Sequence, residues 1–136
     1  MQKEQQVLIQ QSFEKILTMS DIAGGLFYSR LFVLKPRLKR LFTGDIITQR
    51  RKLIDMLRMV VRSVDQWGVI APRLQQLGQR HVQYGVQPED YAIVGQALIW
   101  MLEECLGKDF DAATKAAWLA FYDQIAAEMQ VEEAHV

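Results

Sequence analysis

Apolar residues recur every three or four positions along this chain, and that spacing leaves few folds open. A period near 3.6 gathers apolar side chains on one face of a helix, whereas a half-buried strand alternates every second residue. The punctuation agrees. Only three prolines (Pro36, Pro72, Pro88) and eight glycines interrupt the chain, asparagine is absent, and no hairpin pair such as Asn-Gly occurs. The spacing predicts an all-α domain.

The expected helices follow from these stripes. A first helix from Lys3 to Thr18 presents Ile9, Phe13 and Ile16 on one side. Ser20 reads as the N-cap of a second, running to Leu34 through Gly24, Gly25, Phe27, Tyr28, Leu31 and Phe32. Paired glycines weaken a helix, so they imply close approach by another one. Pro36 opens a short helix ending near Phe42. Asp45 or Thr48 caps a long helix to Val64, with Gln49, Leu53, Met56, Leu57, Val60 and Val64 inward. From Pro72 to Val82, Leu74, Leu77 and His81 share a side. Pro88 opens a helix that stops at Leu106-Gly107, and the last runs from Asp111 to Met129.

At 136 residues the chain suits one domain, expected over 1–130, with a polar tail over 131–136. Half the residues are apolar, and 16 basic residues balance 16 acidic ones, so no large net field marks a general nucleic-acid binder. Arg50 and Arg51, with Lys35, Arg37, Lys39 and Arg40, read as solvated helix faces, since no recognition-helix signature accompanies them. Apolar runs are too short to span a membrane, and the N-terminus lacks a secretory segment. A lone Cys105 excludes an internal disulfide or a cysteine-rich zinc site and suits a reducing cytoplasm. Histidine occurs twice, at His81 and His135.

Two polar residues interrupt apolar stripes. Gln49 begins one and His81 ends another. Buried polar groups need partners or a purpose, although both also read as half-exposed residues at helix ends. Tyr28 lies among apolar neighbours and also reads as a core aromatic whose hydroxyl finds a backbone carbonyl.

Taken in order, the segments Leu26-Phe-Tyr-Ser-Arg-Leu-Phe32, the proline-started turn ending Leu41-Phe42, the helix with Gln49 and Leu53, Leu77-Gly-Gln-Arg-His-Val-Gln-Tyr-Gly-Val86, and Pro88-Glu-Asp-Tyr-Ala-Ile-Val-Gly95 resemble the globin family over essentially the whole chain. The likeness is to bacterial single-domain globins, the globin part of flavohaemoglobins, and neuroglobin; Val94 to Gly107 and Ala113 to Trp118 are especially similar to neuroglobin. The resemblance implies a globin fold of seven to eight helices, a three-over-three sandwich around haem b (iron protoporphyrin IX). It implies His81 as the proximal iron ligand, Phe42 against the haem edge, and Leu53, Leu77, Val86 and Val94 around the macrocycle. Lys52 and Arg80 match positions that offer a cation to a propionate, and Tyr91 matches a proximal tyrosine, completed in flavohaemoglobins by a glutamate for which Glu133 or Glu132 is the positional match.

Gln49 falls at the distal position, where neuroglobin has histidine, so ligation by two histidines through this position is not expected. With Tyr28 it implies a pair of hydrogen-bond donors toward a diatomic ligand, each worth about 1–2 kcal/mol when shielded from water. The implied function is high-affinity dioxygen binding. Its extension is conversion of nitric oxide to nitrate, for which Tyr28 and Gln49 are the catalytic candidates. No flavin domain fits after Met129 and no G-x-G-x-x-G fingerprint occurs, so turnover is expected to need a separate reductase. The alternative is oxygen storage, delivery, scavenging or gas sensing (carbon monoxide also being a ligand) without turnover.

Overall fold

Six α-helices and two short 3-10 helices make up the residues described by the computed structural model, 1–131, and no strand occurs among them. In chain order they are α1 (Lys3–Leu17), α2 (Ser20–Leu34), a 3-10 helix (Pro36–Leu41), α3 (Ile46–Arg62), α4 (Trp67–Gln83), α5 (Asp90–Leu106), a second 3-10 helix (Gly107–Asp109) and α6 (Ala112–Met129). The all-α architecture expected from the spacing is the one observed.

The core forms where the apolar stripes meet. Ile9, Phe13 and Ile16 are buried on α1, facing α6, which contributes the buried Trp118 and Phe121. The one polar atom of that indole is satisfied: Trp118 Nε1 donates to Ser12 Oγ at 2.8 Å, and Ser12 Oγ donates to the Leu8 carbonyl at 2.7 Å. Helix α2 packs on both α5 and α3. The paired glycines serve that crossing, since a Cβ on Gly24 would stand 2.9 Å from Arg50 Cβ. Helix α4 rests mainly on α6.

Several boundaries differ from the expected ones. Ser20 lies inside α2, whose N-cap position is Met19 with no side-chain cap. Asp45 rather than Thr48 caps α3, accepting from the Ile47 N–H at 3.2 Å. Helix α4 begins at Trp67, so Pro72 sits within it. The helical bond that Pro72 cannot make belongs to the carbonyl of Gly68, an exposed residue open to water. Pro88 lies in the turn before α5, where Tyr91 N–H donates to the Pro88 carbonyl. The stop at Gly107, with φ of 53°, and the Asp111 cap, accepting from Thr114 N–H at 2.8 Å, are as expected.

Candidate functional site

The helices that carry Gln49 and His81 do not pack extensively on each other. α3 leans on α2 and α1, while α4 leans on α6. Apolar side chains from several elements are only half-buried against the core: Phe42 after the first 3-10 helix, Leu53 on α3, Leu77 on α4, Val86 in the following loop, and Val94 on α5. Farther along α3, Ile54, Leu57, Val60 and Val61 are buried, while Met56 is half-buried. Toward its N-terminus, Gln49 and Leu53 are half-buried. Half-buried apolar side chains can pack against a flat apolar group.

His81 has the chemistry of a metal ligand. Its Nδ1 lies 2.8 Å from the Leu77 carbonyl. A carbonyl only accepts, so Nδ1 carries the proton and Nε2 keeps its lone pair. Burial pushes the imidazole below its ordinary value; the Leu77 bond opposes this and the neighbouring Arg80 charge reinforces it. The ring is therefore held neutral, as ligation requires. Among the described residues no three His, Cys, Asp or Glu side chains cluster to hold a metal. One imidazole with a free Nε2 matches a metal that arrives with its other ligands already in place, as in a porphyrin.

Tyr28 and Gln49 meet at the α2–α3 crossing. The Tyr28 hydroxyl donates to the backbone carbonyl of Gln49 at 3.3 Å, and the ring is buried edge-on against Phe42, centroids 5.2 Å apart. Phe27 and Phe32 complete the aromatic group, at 5.0 and 5.9 Å from Tyr28. Burial pushes the phenol up to about 12, so it is a neutral proton donor rather than a phenolate. The Gln49 side chain is half-buried.

Tyr91 is buried, and its hydroxyl has no hydrogen-bond partner among the described residues. Tyr122 donates instead to the Tyr91 backbone carbonyl, at 2.6 Å. A buried phenol oxygen left unpaired marks a place where another polar atom belongs. Lys52 and Arg80 are exposed. Glu132, Glu133 and His135 lie outside the described residues.

Sequence reasoning missed two features of this region. Lys35 and Arg37 are not simply solvated cations, since both bond the buried carboxylate of Asp90. Their partner lies more than fifty residues away, beyond the reach of any local pattern. Gly78, three residues before His81, lets α4 lie against the end of α6, where a Cβ would fall 1.7 Å from the Met129 carbonyl oxygen. The i, i+3 spacing to His81 was the available signal.

A family model described as Globin matches residues 25–129. The chain belongs to the globin family. This globin is 31% identical over 120 residues to a neuroglobin of Tetraodon nigroviridis, covering 78% of this chain and 76% of that one. It is 36% identical over 108 residues to a flavohemoprotein of Bacillus subtilis, covering 75% of this chain but only 26% of the flavohemoprotein. Among solved structures, the engineered carbene transferase RmaNOD from Rhodothermus marinus has the same fold, with a TM-score of 0.83 at 24% identity over 93% of this globin and 89% of that chain. No described helix of the globin is long and apolar enough to cross a membrane.

Proposed function

We propose that this globin holds haem b on His81, binds dioxygen tightly, and converts nitric oxide to nitrate with electrons from a separate reductase in the cytoplasm. The observation that carries the reading is the set of uncharged polar groups that accompanies the half-buried apolar side chains. A neutral imidazole with a free Nε2 stands on α4, and two uncharged donors, Tyr28 and Gln49, stand together on α2 and α3.

Haem, when bound, supplies the iron at which a diatomic ligand is taken up and electrons are exchanged. His81 Nε2 would provide the protein's bond to it, and the Leu77 carbonyl fixes the ring through Nδ1. Phe42, Leu53, Leu77, Val86 and Val94 would pack its apolar faces and edge, and Tyr91 would close the proximal side. Lys52 and Arg80 are exposed cations that would each contribute about 0–1 kcal/mol by pairing with a propionate. Gln49 offers a carboxamide N–H to the ligand space, and Tyr28 offers its O–H.

The Tyr28 hydroxyl is not committed to its carbonyl partner. At 3.3 Å its bond is longer than a good O–H···O contact, so turning it toward a partly negative ligand atom costs little and gains a better one. The same bond favours a second reading. If Tyr28 stays on the Gln49 carbonyl, the pocket has one donor rather than two, which suits storage, delivery or sensing of dioxygen or carbon monoxide without turnover. Rapid mixing of the oxygenated protein with nitric oxide, followed by nitrate measurement, separates the two. Stoichiometric nitrate is the expected result, and its absence rejects the dioxygenase reading.

A further inference from the structure

Asp90 is the only charged side chain buried among the described residues. Its Oδ1 accepts from Lys35 Nζ at 2.8 Å, Arg37 Nη2 lies 2.7 Å from both carboxylate oxygens, and Oδ2 accepts from the Gln87 backbone N–H at 2.9 Å. These partners come from two separate stretches of chain. Lys35 and Arg37 flank Pro36 and begin the 3-10 helix that ends at Leu41 and Phe42. Gln87 lies in the loop that leaves α4 after His81. Asp90 itself opens α5, beside Tyr91.

The loop is tied at both ends. Near its start, Val86 N–H donates to the His81 carbonyl at 2.9 Å; near its end, Gln87 is held by Asp90. Packing alone would not fix these segments, because the Pro36–Leu41 helix rests chiefly on α2 and α4 rests on α6. The two stretches also meet where Leu41 Cδ2 lies 3.4 Å from the position of a Cβ on Gly85, in ordinary van der Waals range. Buried ion clusters are poor stabilisers, since removing charges from water offsets most of their attraction, but their geometry admits few alternatives.

We infer that Asp90 is a positioning residue for the haem crevice, holding the segment that bears Phe42 at a fixed separation from the loop that follows His81. The inference rests on the reading of His81 as the haem ligand. Asp90 acts through the backbone of 87–90 and through Lys35 and Arg37.

The test uses the full chain loaded with haem. Two properties are measured: the rate of haem transfer to apomyoglobin, and the iron–imidazole stretching band of the ferrous protein by resonance Raman. Asp90→Asn keeps the shape and removes the charge. It is expected to release haem about tenfold faster and to move the band, with helix content unchanged. Arg37→Gln is expected to shift both in the same direction, and the double variant to match Asp90→Asn, because one clamp is broken only once. Asp90→Glu is expected to restore the wild-type band position in large part. An Asp90→Asn protein with wild-type haem loss and an unmoved band overturns the inference, whatever its melting temperature. If Asp90→Asn does not fold, Arg37→Gln decides by the same two readouts. Failure of the wild-type chain to take up haem defeats the functional reading itself, whereas normal uptake with an unmoved Asp90→Asn band defeats only the clamp.

Discussion

Replacing Gly78 with alanine sets two opposing effects against each other. Alanine is the better helix former and would by propensity stabilise α4 by about 1 kcal/mol. Its Cβ, however, would sit 1.7 Å from the Met129 carbonyl oxygen, 2.5 Å from its carbon and 2.8 Å from its Cα, where real Cβ contacts essentially never fall below 3.0 Å. All three atoms are backbone, so no flexible side chain yields, and α4 and α6 must part by more than an ångström. Overpacking of this kind costs about 1–3 kcal/mol. Parting the helices also strains the Gln75 Nε2 to Glu128 Oε1 hydrogen bond at the same contact, which is worth about 1 kcal/mol. Steric cost wins, and a net loss of about 1–3 kcal/mol follows. Because α4 has no other extensive packing, the displacement passes to His81 one turn along. Urea unfolding of the haem-free protein should give a lower midpoint at unchanged slope, and haem titration should show weaker uptake. A Gly78→Ala protein as stable as the parent, binding haem equally well, would refute the claim that this contact seats the proximal helix.

Other expectations follow from single contacts. Tyr28→Phe should release dioxygen about tenfold faster by stopped flow, one lost donor at about 1–2 kcal/mol; an unchanged rate would mean the hydroxyl stays with the Gln49 carbonyl. Ser12→Ala strands the buried Trp118 N–H and should cost about 1–3 kcal/mol in equilibrium unfolding. Burial by itself would raise the Asp90 carboxyl, but Lys35, the Gln87 N–H and Arg37 outweigh it and hold it at about 2, below its ordinary 3.8. A carboxyl lowered on folding adds stability that is full above 3.8 and is lost as pH falls toward 2. Asp90→Asn should therefore flatten the acid limb of the melting-temperature profile in that window, and an unchanged limb would show that the carboxylate carries none of it.

Helix positions were legible because burial in an all-α fold imposes a local period, and Ile9, Phe13 and Ile16 show it cleanly. The glycine pair was legible for the same reason: Gly24 and Gly25 make little sense in a helix unless another element, here Arg50 on α3, comes close. Pro72 misled because a proline starts a helix more often than it sits inside one, and the tolerance depends on an exposed Gly68 that no spacing reveals. The Asp90 cluster was illegible on principle. Lys35 and Arg37 look like any exposed cations until the fold brings a buried carboxylate to them. Half of the candidate site was visible as polar breaks in apolar stripes, at Gln49 and His81. For Gly78 the i, i+3 spacing to His81 was a weak signal, since its role lies in what α6 presents to it.

The account stands or falls on the bond between position 81 and iron. Haem added to the purified wild-type chain should give a Soret band that saturates at one haem per chain, and His81→Ala should lose that band or bind haem at least a hundredfold more weakly, by the scale on which each 1.4 kcal/mol is tenfold. A His81→Ala protein that holds haem as tightly as the parent, with the same ferrous spectrum, would contradict it.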